Sequence, residues 1–160
     1  MLKIEEQVYE LLKLHNITLT TAESATGGLI ASTLINVPGI SEFFQEGYVT
    51  YSNDAKVKMI GVDRTMIDKY GVVSKEVAEN MAISASKTAG CDAALSVTGV
   101  AGPDGGTQDC PVGTVYIGCY LKGNIVVEHH IFSGDRLGVR KAAANRALAL
   151  LVEQIQNRLA

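Results

Sequence analysis

Ile4, Val8, Leu11 and Leu12 recur at helical spacing, predicting an amphipathic helix over residues 3–15 that stops at Asn16. Ile17 and Leu19, set among threonines, then predict a strand over residues 17–22. The apolar run 29–35 predicts a helix over residues 26–36, broken by Val37-Pro38-Gly39. Residues 43–51 read as a strand, with Tyr48, Val49, Thr50 and Tyr51 favouring extended backbone. Ser52-Asn53-Asp54 offers caps to the first of two short helices near 54–60 and 63–69, which Gly61 and Gly71 end. A longer helix is expected over 75–89 and a buried strand over 93–97. Residues 113–121 and 124–132 pair as antiparallel strands around Lys122-Gly123-Asn124, and a helix over 135–158 closes the chain. Helices alternate with strands early and a hairpin comes late. That order predicts a three-layer α/β/α sandwich with a mixed parallel/antiparallel sheet.

A length of 160 residues predicts one domain, 1–160. A chain of this size buries roughly 68–70% of its unfolded surface without disulfides or metal. The net charge of -3 argues against a nucleic-acid partner. The first residues are too acidic for a signal peptide, and no apolar run reaches the ~18 residues of a membrane span. Cys91, Cys110 and Cys119 fit neither a disulfide framework nor a zinc pair, and His15, His129 and His130 lack metal-site spacing. The expectation is a cytoplasmic protein that uses no metal and touches no membrane.

Ser24 lies between the first strand and Gly27-Gly28, where unpaired backbone N–H groups and the helix dipole favour negative charge. It is either a nucleophile beside ready-made oxyanion donors or a helix cap. Lys56 falls in the first turn of the helix after Asn53, where the dipole and partial desolvation disfavour the ammonium. A neutral amine there would serve Ser24 as general base, with Tyr51 relaying a proton or orienting the amine. The alternative is a solvated lysine and a core tyrosine.

The run from Ser96 through Thr98, Gly99 and Gly102 to Pro111 is a strand feeding a long glycine-rich loop, either a ligand cradle or a set of turns. It is neither a P-loop nor a dinucleotide fingerprint. Arg136 and Arg140 share a stripe with Ala144, Leu148, Leu151 and Ile155, so both lean toward the protein. An inward arginine needs an anion, either an internal carboxylate or a bound phosphate. Glu23 either serves the helix end or pairs with an arginine.

Several segments together resemble the CinA C-terminal domain family, the nicotinamide mononucleotide deamidases. They are residues 22–28, 47–56, 99–106, 111–115 and 132–136, in the family's order and across nearly the whole chain. The resemblance implies a three-layer α/β fold, no metal or other cofactor, and hydrolysis of the substrate's carboxamide to nicotinate mononucleotide and ammonia. It places the nucleophile on Ser24, a tyrosine on Tyr51 and the base on Lys56. It places substrate contacts on Ser41, Thr98 and an arginine of the last helix, Arg136 or Arg140. Gly27, Gly28, Gly99 and Gly102 join them as backbone contacts to the substrate. Many members carry cysteine where this chain has Ala25, and the serine with its candidate base favours Ser24 chemistry here. Two alternatives differ in class: a non-catalytic nucleotide-binding or regulatory module, and a serine–lysine amidase for another small amide. A homo-oligomer, most often a dimer, is the general expectation for a small metabolic enzyme.

Overall fold

A computed structural model describes residues 1–159. Helix α1 (Ile4–His15) leads into strand β1 (Leu19–Glu23) and the short helix α2 (Leu29–Leu34). A 3₁₀ turn (Ile40–Glu42), strand β2 (Tyr48–Val49) and helices α3 (Asn53–Ile60), α4 (Arg64–Tyr70) and α5 (Lys75–Ala89) follow. Strands β3 (Ala93–Gly99), β4 (Thr114–Leu121) and β5 (Asn124–Ile131) and helix α6 (Arg136–Leu159) complete the order. The sheet runs β2-β1-β3-β4-β5; β2, β1 and β3 are parallel, and β4 and β5 are antiparallel to their neighbours. The expected mixed-sheet α/β/α sandwich is the observed one. No helix among the described residues is long and apolar enough to cross a membrane.

Alternation along the strands sorts the two cores. Leu19, Leu95 and Val97 face the larger core, shared with α1, α2 and α6 through Val8, Leu12, Ile30 and Leu148. Ala22 and Ala94 face the smaller core, built on Val77, Met81 and Ala85 of α5 with Ile60, Val62 and Ile67. Small residues let α5 lie close to the sheet. At Gly118 an added Cβ would come within 2.8 Å of the Ala78 carbonyl oxygen, which already accepts from Ser96 Oγ at 2.6 Å.

Two predicted elements are shorter than their propensities suggest. The helix expected over 26–36 covers only Leu29–Leu34, because Gly27 and Gly28 adopt positive φ (57° and 101°). The strand expected over 43–51 shrinks to Tyr48–Val49. Phe43 and Phe44 are drawn into the larger core, and their amides close a turn on Ile40 O at 2.9 and 2.8 Å. Only a single bridge, Leu19 to Phe44, survives from the first half of that strand.

Candidate active site

Strand β1 is where the topology divides. The helix after β1 packs on one face of the sheet, and the three helices after β2 cross on the other before β3 returns beside β1. Crevices at the carboxyl ends of such parallel strands are the usual ligand sites of α/β folds. A cavity of about 370 Å³ lies there. Ser24 and Ala25 contribute from the end of β1, Thr98 and Gly99 from the end of β3, and Tyr51, Asn53 and Lys56 from the entry to α3. Val72 and Val73 form an apolar wall, and Gly102, Asp104 and Arg136 complete the rim.

Ser24 is not a helix cap. Its amide donates to Val97 O at 3.0 Å, and its hydroxyl lies 3.2 Å from Lys56 Nζ. Capping of α2 falls to the buried Glu23 instead. Its carboxylate accepts from Thr26 Oγ1 at 2.7 Å and from the amides of Ile30 and Ala31 at 2.8 and 3.1 Å. A carboxylate at a helix N-terminus satisfies orphan donors and complements the dipole. It also ties the residue before Ser24 to the helix after it. Glu23→Ala is expected to lower stability by about 2–4 kcal/mol, since several buried donors lose their acceptor. Chemical denaturation at neutral pH measures this.

Lys56 is 1% exposed, against the solvated alternative. Of the three candidate caps it is Ser52 that caps α3, with Oγ accepting from the Ala55 amide at 3.0 Å. Lys56 then sits in the first turn with Nζ donating to Thr50 O at 2.8 Å. Burial holds its pKa down at about 8. No carboxylate forms an ion pair with it among the described residues. A half-buried hydroxyl beside an amine that burial keeps partly neutral near pH 8 is an arrangement that can activate a nucleophile.

The sequence model of the CinA C-terminal domain matches residues 1–155. This chain belongs to that family. A CinA-like protein of Kosmotoga olearia is 49% identical over 91% of this chain. A relative in Clostridium beijerinckii, named for a competence-damage inducible protein, is 51% identical over 94% of it. The chain spans 35% and 37% of the length of these two relatives. Among solved structures, competence damage-inducible protein A of Klebsiella pneumoniae superposes with a TM-score of 0.93 at 32% identity, covering 97% of this chain and 96% of that one. The competence/damage inducible protein of Agrobacterium tumefaciens gives 0.89 at 35% identity, covering 94% of each chain.

In this CinA domain the remaining predicted site residues separate. Tyr51, Thr98, Gly99, Gly102 and Arg136 line the cavity with Ser24 and Lys56. Tyr51 is 61% exposed, and its hydroxyl accepts from Arg136 Nη2 at 2.7 Å rather than meeting Lys56. Arg136 Nη1 donates to Gly102 O at 2.7 Å, and Thr98 Oγ1 donates to Val72 O at 2.8 Å. Gly27, Gly28, Ser41 and Arg140 lie outside the lining. Ser41 is exposed on the 3₁₀ turn, and the two glycines form the bend behind Ser24. Arg140 donates from Nε to Ala25 O at 3.0 Å and from Nη2 to Thr26 O at 3.1 Å. Neither arginine meets a carboxylate among the described residues; both bond backbone carbonyls, and Arg136 a phenol as well. Val72, Val73, Asn53 and Asp104 were not expected in the cavity. Asn53 and Asp104 read as cap and turn residues, and no local pattern marks a valine pair between two helices as a ligand wall.

Proposed function

We propose that this chain hydrolyses the carboxamide of nicotinamide mononucleotide, giving nicotinate mononucleotide and ammonia. The observation that carries the reading is the buried Lys56 amine, 3.2 Å from Ser24 Oγ and with its pKa depressed to about 8. Neutral Nζ takes the Ser24 hydroxyl proton as Oγ bonds to the carboxamide carbon, and the carbonyl pair moves to oxygen. Ala25 lines the cavity, and its amide, which takes no partner among the described residues, is the donor assigned to that developing charge. Collapse restores the carbonyl and breaks the C–N bond, and the proton held on Nζ passes to the departing nitrogen. Water then gives a proton to Nζ and adds to the ester, and Ser24 leaves with that proton.

Arg136 supports an anionic substrate. Its guanidinium is exposed at the rim and holds only a carbonyl and a phenol, so a phosphate can claim it bidentately. Arg136→Ala is expected to raise KM about 10–100-fold, the worth of a charge-assisted hydrogen bond, with a much smaller change in kcat. Inorganic phosphate should compete with substrate in the unsubstituted protein and lose that effect in the variant. The reading itself is tested by product analysis after mixing protein with nicotinamide mononucleotide. Stoichiometric ammonia and nicotinate mononucleotide are expected, and intact substrate would refute it.

A further inference from the structure

We propose that Arg140 is a positioning residue for the oxyanion site, acting on the Ala25 amide through two peptide groups without touching substrate. The proposal rests on the serine–lysine reading above. Arg140 leaves α6 one turn after Arg136 and is half-buried, outside the cavity. Its fork lies against the bend that follows Ser24. Nε meets Ala25 O at 3.0 Å and Nη2 meets Thr26 O at 3.1 Å. Gly27, at φ 57°, leaves room for the fork, since an added Cβ would sit 3.2 Å from Nη2.

The bonds continue from that contact. The Thr26 carbonyl shares a peptide group with the Gly27 amide, and this amide donates to Ser24 O at 3.0 Å. The Ser24 carbonyl in turn shares a peptide group with the Ala25 amide. Both peptides are trans, so each N–H points opposite to its carbonyl. The series begins at a guanidinium cation and ends at the amide of Ala25, a cavity-lining residue whose N–H takes no partner among the described residues. Charge-assisted bonds are the strong ones, and each polarised peptide makes the next a better donor. A phosphate role for Arg140 would require it to abandon two carbonyls and cross to a cavity it does not line.

The test compares wild type, Arg140→Ala and Arg140→Lys with two probes: nicotinamide mononucleotide, and p-nitrophenyl acetate, whose acylation of Ser24 needs no phosphate recognition. For Arg140→Ala, kcat is expected to fall about 10–100-fold, somewhat less than the loss of a whole oxyanion donor, with KM within about threefold. Ester acylation should fall by a similar factor. Added guanidinium ion should restore part of both rates. Arg140→Lys keeps the charge but cannot fork to two carbonyls, so it should fall between. A raised KM with unchanged kcat would overturn the proposal, as would unchanged acylation or absence of rescue. If Arg140→Ala does not fold, Arg140→Lys carries the same comparison; unfolding of both would mark a purely structural role and also overturn it. Ester acylation by wild type without ammonia release would defeat the substrate reading while leaving the Arg140 comparison intact.

Discussion

Ser24→Ala is expected to abolish ammonia release, by at least about 10⁴-fold, while nucleotide binding stays within about twofold. The size of the loss follows from the role. With no Oγ there is no acyl intermediate, and Lys56 has no proton to take. Binding is spared because the cavity walls come from other segments: Val72 and Val73, the loop through Gly102, and Arg136. Folding is spared because the anchors of this turn are backbone bonds, Ser24 N to Val97 O and Gly27 N to Ser24 O, which alanine retains. Calorimetric titration with nicotinamide mononucleotide alongside an ammonia assay reads both quantities. Retained turnover would remove Ser24 as nucleophile.

Lys56→Met should silence the reaction by at least about 10³-fold, within the range of losing a catalytic base, and at the same time stabilise the fold near neutral pH. The folded-state pKa of about 8 lies below the ordinary lysine value of 10.5. Between those values the unfolded chain binds more protons, so stability rises with pH across that window. Below pH 8 the folded protein bears the whole cost of a desolvated ammonium, roughly 3 kcal/mol. Methionine fills similar space without that charge. It leaves the Thr50 carbonyl without its donor, a loss of about 1 kcal/mol. A net gain of about 1–3 kcal/mol at pH 7 is therefore expected, falling away as the pH rises past 8 and reversing to a loss of about 1 kcal/mol above about pH 10.5, where only the missing hydrogen bond counts. Denaturant unfolding of both proteins at pH 7 and pH 10.5 checks the sign. A variant that is destabilised at pH 7 would mean that Lys56 is not held against a desolvation cost.

The serine and the lysine were legible as a pair because each stands at a turn that propensity marks clearly. Gly27-Gly28 stop α2 from starting early, and Ser52 starts α3 just ahead of Lys56. Depth was not legible. The helix dipole and partial desolvation together suggest a weakened ammonium; burial is the cause in the folded chain, and its completeness depends on β2 running beside β1 to bring Thr50 over the amine. The two arginines also could not be told apart along the chain. One turn of α6 separates them, so a helical stripe puts both inward. Only the loop after β3, folding back to present Gly102, draws Arg136 to the rim while Arg140 meets the bend behind Ser24. Of the two roles its position leaves open to Glu23, serving the helix end is the observed one. Its grip on Ile30 and Ala31 spans seven and eight residues, a reach no capping pattern encodes. At Phe43 and Phe44 tertiary burial overrode strand propensity, as it commonly does for aromatic residues beside a core.

The pH dependence of kcat/KM for ammonia release from nicotinamide mononucleotide tests most directly whether neutral Lys56 is the base for Ser24. The rate constant should climb about tenfold per pH unit on the acid side, bend near pH 8 and level off above it. A profile that is flat from about pH 6 to 10, or one whose only bend lies well below 7, would contradict the assignment.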